Sequence, residues 1–118
     1  MSYQSFENLE VGKKACCLAV KLYDCLRECK DFSLRDQMQR SAISIASNIA
    51  EGAERGSDKD FIRFLHYSKG SAGELRTQLY ISDKIGIIKT EFRKELCQEL
   101  TEISKMLHSL IKFKSLDN

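Results

Sequence analysis

The clearest chemical asymmetry in the sequence lies on one flank of a long helical pattern. Set at 100° per residue, Ile62, His66, Lys69, Gly73, Arg76, Tyr80 and Lys84 share that flank. Basic groups interleaved with aromatic side chains suit contact with phosphates and stacked bases. An ordinary solvated or intersubunit face would carry the same residues. Arg63, Tyr67, Glu74 and Gln78 fall on the opposite flank.

Other chemistries lack their residues. A di-iron bundle needs a Glu three positions before a His. Arg63 precedes His66 at that spacing and Lys105 precedes His108. Cys25 and Cys29 form an i, i+4 pair, but no second short cysteine pair completes a closed zinc site. Gly70-Ser71-Ala72-Gly73 lacks the lysine of a phosphate-binding loop. Cys16, Cys17, Cys25, Cys29 and Cys97 all sit within apolar helical patterns, so they are expected to be reduced, buried and inert. Glu51 and Glu74 could act as paired carboxylates or simply hydrogen-bond at helix ends and between helices. No catalytic residue, metal or cofactor is expected.

The elements that would position these groups are helical throughout. The 3.6-residue period predicts four helices over about residues 7–29, 34–53, 58–84 and 91–113, in one domain spanning 1–118. In the first, Leu18, Leu22, Cys25 and Cys29 recur at spacings of four, three and four. Ser33 with Asp36, and Ser57 with Asp60, read as capping boxes. The third stripe is Phe61, Leu65, Ser68, Ala72, Leu75, Leu79 and Ser82, a heptad seam suited to bundle packing. Gly86 marks its stop. Thr90 reads as the N-cap of the fourth helix, whose stripe is Phe92, Leu96, Leu100, Ile103, Leu107 and Leu110. The connections are too short to cross a bundle, so an all-α, antiparallel up-down-up-down four-helix bundle is expected.

The second helix exceeds what a monomer needs. No charge occurs between Arg40 and Glu51. Leu34, Met38, Ala42, Ile43, Ile45, Ala46, Ile49, Ala50 and Ala53 fill about half its circumference, flanked by Gln37, Ser41, Ser44 and Asn48. A helix with so narrow a charged face is expected to have a further neighbour, and a second subunit is the natural one.

Composition is consistent with this. The chain has 118 residues, no proline and no tryptophan. Proline breaks helix interiors, so its absence permits long helices. Hydrophobic residues are 42% and charged residues 31%, which excludes a disordered chain. Net charge is +2, with the two signs nearly balanced in each half. One chain therefore carries little excess charge, and nucleic-acid binding would draw on charges repeated around an oligomer. The longest charge-free run, Ser41 to Ala50, is ten residues and far short of the roughly 20 needed to span a bilayer. With no signal-peptide pattern at its start, the chain is expected to be cytoplasmic and away from membranes.

A longer pattern runs through the chain. It reads Leu34-x-x-Gln37-Met38-x-Arg40-x-Ala42-x-Ser44-Ile45-x-x-Asn48-Ile49-Ala50-Glu51-Gly52, then Ser57-x-Lys59-Asp60-Phe61-x-Arg63-Phe64-Leu65, then Gly70-Ser71-x-x-Glu74-Leu75-x-Thr77-Gln78-Leu79. Phe6-Glu7-x-Leu9-x-Val11 opens it. This resembles the four-helix-bundle proteins encoded in intervening sequences of bacterial 23S ribosomal RNA genes. That family includes the accessory variability determinant of diversity-generating retroelements. The resemblance implies a four-helix bundle assembled as a homopentameric barrel. For the retroelement members it also implies binding of nucleic acid and of a reverse transcriptase. This chain departs from the familiar pattern in having Gln39-Arg40 for two consecutive basic residues, and Gly12 where tryptophan is common.

The combined expectation is a non-enzymatic, pentameric protein that binds RNA or DNA with little sequence selectivity. Arg40, Arg55, Lys59, Arg63, Lys69 and Arg76 are its candidate phosphate contacts. Asn48, Glu51, Glu74 and Gln78 are the candidates for a structural polar network within or between subunits. The alternative is an interaction scaffold that engages a partner protein such as a reverse transcriptase.

Overall fold

The computed structural model describes residues 9–116, which form four α-helices and no strand. They are α1 (Glu10–Cys25), α2 (Phe32–Glu54), α3 (Asp58–Lys84) and α4 (Thr90–Leu116). The molecule measures 47 × 19 × 19 Å, one long helix in length and two helices across.

Cross-helix bonds set the direction of each neighbour. Between α2 and α3, Ser68 pairs with Ile45 and Ser82 with Met38, so the numbers run oppositely. Between α3 and α4, Asp58 lies beside Lys114 and Asp83 beside Arg93. Between α1 and α4, Lys14 meets Glu102 and Lys21 meets Glu99. Each of these pairs is antiparallel, which leaves α1 antiparallel to α2 as well. No Cα of α1 comes within 8 Å of α3, nor any of α2 of α4. The helices thus close a four-sided ring in sequence order.

The core runs down the middle of this ring. Leu18, Leu22, Met38, Ile45, Ile49, Leu65, Leu75, Leu79, Leu96, Leu100 and Ile103 are fully buried within it. All seven residues of the α3 seam are buried. Its two fully buried serines remain satisfied, because each hydroxyl finds an acceptor on α2. Ser68 Oγ donates to the Ile45 carbonyl at 2.7 Å, and Ser82 Oγ reaches Met38 Sδ at 3.5 Å. Gly52 lets α2 and α3 approach closely at their shared turn. A Cβ there would lie 2.8 Å from Phe64 Cβ and 3.3 Å from the Phe61 carbonyl oxygen.

Several helix ends differ from the sequence expectation. Helix α1 stops at Cys25, not near residue 29, and residues 7 and 8 of its expected start lie outside the described residues. Past the end, Leu26 carries on the buried seam, while Cys25 turns outward. Asp31, not Ser33, caps α2. Its carboxylate accepts from the Leu34 amide at 3.0 Å, which places the helix start two residues earlier. Ser57 caps α3 by accepting from the Asp60 amide at 3.2 Å. At the other end, Gly86 takes φ +81°, with Ile87 N donating to Ser82 O and Gly86 N to Asp83 O. That is the paired C-terminal bonding a left-handed residue makes possible. Thr90 is the first residue of α4 and not its cap. Its hydroxyl instead donates to Asp83 at 2.7 Å. Helix α4 continues to Leu116, and Ile111 is buried where the stripe predicted Leu110.

Candidate nucleic-acid interface

The faces of the bundle differ in how their charges are matched. Between α1 and α4, Lys14 bonds Glu102 at 2.9 Å, and Lys21 sits between Glu95 and Glu99. The neighbouring carboxylates hold both ammonium groups above the ordinary lysine range. This face offers little unmatched positive charge.

The α2–α3 turn gathers Arg55, Lys59 and Arg63. Arg55 pairs with Glu51 at 3.1 Å, and Arg63 with Asp60 at 3.0 Å. Both guanidinium groups lie over the Phe64 ring, at 4.8 and 5.1 Å from its centre. Tyr67 meets the same ring edge-on at 5.3 Å and is exposed. Two of the three cations here are already matched by carboxylates, and Lys59 is exposed beside them. Arg40 stands elsewhere, lining a shallow hollow with Tyr23, Asp36, Gln39 and Ile43 on the α1–α2 face.

The α3–α4 face is matched at its two ends, by Asp83–Arg93 and Asp58–Lys114, but not in its middle. Arg76 reaches across from α3, and its Nη2 donates to Thr101 Oγ1 at 2.8 Å and to the Cys97 carbonyl at 3.3 Å. Both acceptors are neutral, so the guanidinium is anchored without being neutralised. Thr101 Oγ1 in turn donates to the same Cys97 carbonyl at 3.0 Å. Lys69 from α3, and Lys105 and His108 from α4, line the groove around Arg76. Thr101, Ser104 and Ser109 supply hydroxyls, and the groove is an open depression of about 580 Å³. No carboxylate is among its lining residues, and among the described residues none of these four basic groups is in an ion pair.

The six candidate cations are therefore divided among three places: Arg40; Arg55, Lys59 and Arg63; Lys69 and Arg76. The structure adds Lys105 and His108 to the last group. Their signal was available in α4, where Thr101, Lys105 and His108 recur at helical spacing beside the Leu100, Ile103 and Leu107 stripe.

The expected polar group of Asn48, Glu51, Glu74 and Gln78 does not bond internally within the chain. Asn48 donates to the Ser44 carbonyl at 2.9 Å and to its hydroxyl at 3.1 Å, and Ser71 Oγ bonds Ser44 Oγ at 3.0 Å. Glu51 is engaged by Arg55. Glu74 is exposed. Gln78 Oε1 is buried with no hydrogen-bond partner among the described residues.

All five cysteines are free thiols, but the expectation that all are buried fails. Only Cys97 is buried; Cys17 and Cys25 are exposed, and Cys16 and Cys29 lie between. Cys25 closes α1 on its outer side, and Cys29 falls past the helix end. Partial desolvation still pushes the Cys25 thiol above its ordinary range. Among the described residues, no group of three or more His, Cys, Asp or Glu could hold a metal ion. No helix there is long and apolar enough to cross a membrane.

A family model described as 23S rRNA-intervening sequence protein matches residues 7–109. Among solved structures, the chain is similar to a protein with unknown function from the S23 ribosomal protein family of Bacteroides thetaiotaomicron VPI-5482. The TM-score is 0.81 at 31% identity, covering 86% of this chain and 98% of that one. No curated protein matches the chain. Neither the family description nor that of the solved relative names a reaction.

Proposed function

The chain belongs to the 23S rRNA-intervening sequence protein family, and on that premise we propose that it is a non-enzymatic, cytoplasmic bundle protein that binds RNA or DNA. Binding draws on basic side chains and is weakly selective for sequence. The observation that carries this is the unmatched charge of the α3–α4 groove. Elsewhere Lys14, Lys21, Arg27, Arg35, Arg55, Arg63 and Arg93 are matched by carboxylates within 4 Å, and the candidates Arg40 and Lys59 stand apart on other surfaces without such a cluster. In the groove, Arg76 bonds a hydroxyl and a carbonyl instead, and Lys69, Lys105 and His108 share its lining with Thr101, Ser104 and Ser109. Phosphate is the common biological anion that such a set of donors would take.

The working form is a homo-oligomer, with a pentamer as the proposed state. Supporting it are the small residues of α2, the buried Gln78 Oε1 with no hydrogen-bond partner among the described residues, and open space beside Gly70 and Gly73 on α3. Repetition around a ring would multiply the small charge excess of one chain. Light scattering of the purified protein tests this, and a monomer mass overturns it. Filter binding at low salt tests the function. Retention of structured RNA or duplex or single-stranded DNA at micromolar protein is expected, weakening steeply as salt rises. No retention of any of them overturns it.

A second role, as a scaffold for a partner protein such as a reverse transcriptase, draws on a different surface. Val20, Tyr23 and Ile43 are exposed on α1 and α2, with Arg40 beside Tyr23 and Ile43. Exposed Tyr and Arg next to aliphatic groups are typical anchors of protein interfaces. A partner that co-purifies from the native host and survives nuclease treatment would favour this role.

A further inference from the structure

We infer that the α3–α4 groove reads the phosphates of single-stranded nucleic acid, with Arg76 on its floor and Lys69, Lys105 and His108 on its rims. This rests on the nucleic-acid function proposed above and specifies its site and the form of its ligand.

Arg76 is prepared for an anion. Both of its bonds use Nη2, and among the described residues Nε and Nη1 make none. A guanidinium has five N–H donors in a fixed fork. With one nitrogen tied to Thr101 and to the Cys97 carbonyl, the plane is held while the other donors remain for a phosphate oxygen pair. The half-buried position raises the value of such a bond, because water competes less there than at a freely exposed lysine.

The dimensions favour one strand over two. Neighbouring helices pack with axes about 8–10 Å apart. A duplex is wider than that, since its major groove alone measures about 12 Å. The whole bundle is only 19 Å across. A duplex is too wide to enter between the two helices, whereas a single strand can lay its backbone along the floor beside Arg76. Lys69 and Arg76 are seven residues apart on α3, or roughly 10 Å of helix rise.

The lining also predicts indifference to base identity. His108 is the one aromatic ring among the lining residues, and the Tyr80 ring on α3 is covered by Arg93 at 4.5 Å. The groove therefore has hydroxyl and cationic donors for the backbone and no Phe, Tyr or Trp platform for bases.

Fluorescence anisotropy with the full chain tests this, using a labelled oligouridylate of about twelve nucleotides and an RNA duplex of equal length. The single strand is expected to bind roughly tenfold more tightly at low salt. Arg76→Met, and separately the rim pair Lys69→Ala with Lys105→Ala, should each weaken it about tenfold and flatten the salt dependence. Lys14→Ala, on the α1–α4 face where Glu102 already matches the charge, should leave it unchanged. Should Arg76→Met fail to fold by circular dichroism, the rim pair decides alone. Equal duplex affinity, or groove variants that bind as the parent does, overturns the groove assignment while leaving nucleic-acid binding intact. Failure of the parent chain to bind either ligand overturns the proposed function itself.

Discussion

Asp83, near the end of α3, accepts from Arg93 Nε at 3.0 Å and from the Thr90 hydroxyl at 2.7 Å, so one carboxylate ties together both sides of the α3–α4 turn. At the far end, Asp58 and Lys114 lie 3.6 Å apart, with the Lys114 ammonium over the Phe61 ring. Both pairs are largely shielded from solvent, at 13–16% side-chain exposure, unlike the exposed i, i+3 and i, i+4 pairs elsewhere. Surface pairs contribute little, so these two are the ionic contacts to test.

Asp83→Asn is expected to destabilise the chain in a pH-dependent way. The Thr90 hydrogen bond, and then Arg93, hold the Asp83 carboxyl below the ordinary carboxylate range. The folded state therefore binds that proton less readily than the unfolded state does. The resulting stability is fully present above the unfolded pKa of about 4 and is lost as pH falls through the lower folded value. Urea melts of parent and variant should be separated at pH 7 and converge towards pH 2–3. A gap unchanged at low pH would show that the carboxylate charge is not its source.

Gly52→Ala should cost about 1–3 kcal/mol, the usual penalty for overfilling a packed site. The new methyl would meet Phe64 Cβ at 2.8 Å and the Phe61 backbone at 3.3 Å, and neither can rotate away. Gly70→Ala should act oppositely. It sits inside α3 with open space around it, so about 0.5–1 kcal/mol of stabilisation is expected from lower backbone entropy in the unfolded chain. Urea denaturation of the two variants checks both signs.

Leu75→Ala should cost about 2–5 kcal/mol, as for other fully buried leucines. Ile43→Ala removes an apolar group that is 44% exposed, and in an isolated chain it should change stability by less than about 0.5 kcal/mol. A large loss at Ile43 that scales with protein concentration would place that residue in an intersubunit contact. Denaturation at two protein concentrations separates these outcomes.

Much of this architecture was legible in the sequence because its signals are local. The α3 seam shows a clean alternation of four and three, and its serines fit because they face α2 carbonyl and sulfur acceptors. Ser57 and Gly86 act at the positions where their types suggested. The α1 end was not legible, since neither glycine nor proline stands near Cys25 and the apolar spacing runs on to Cys29. Asp31 and Ser33 are both acceptable caps, and only the backbone geometry chooses between them. The candidate site was half legible. Lys69 and Arg76 share a flank that periodicity identifies within one helix. That Lys105 and His108 face the same flank depends on the rotation of α4 against α3, which no single-helix pattern specifies. The Asp83–Arg93 and Asp58–Lys114 contacts were missed for the same reason, as each joins two helices.

The distribution of thiols gives this protein a chemical clock of its own. Cys17 and Cys25 are accessible in the native fold, whereas Cys97 is 7% exposed, and its own carbonyl is held by Arg76. An alkylating reagent will therefore label the outer thiols first and Cys97 only when α4 lifts from the bundle. The slow phase of labelling reports the opening rate, or the opening equilibrium, of the helix that forms one wall of the groove. A ligand seated there must slow that phase, so occupancy of the groove can be timed without attaching any probe to it.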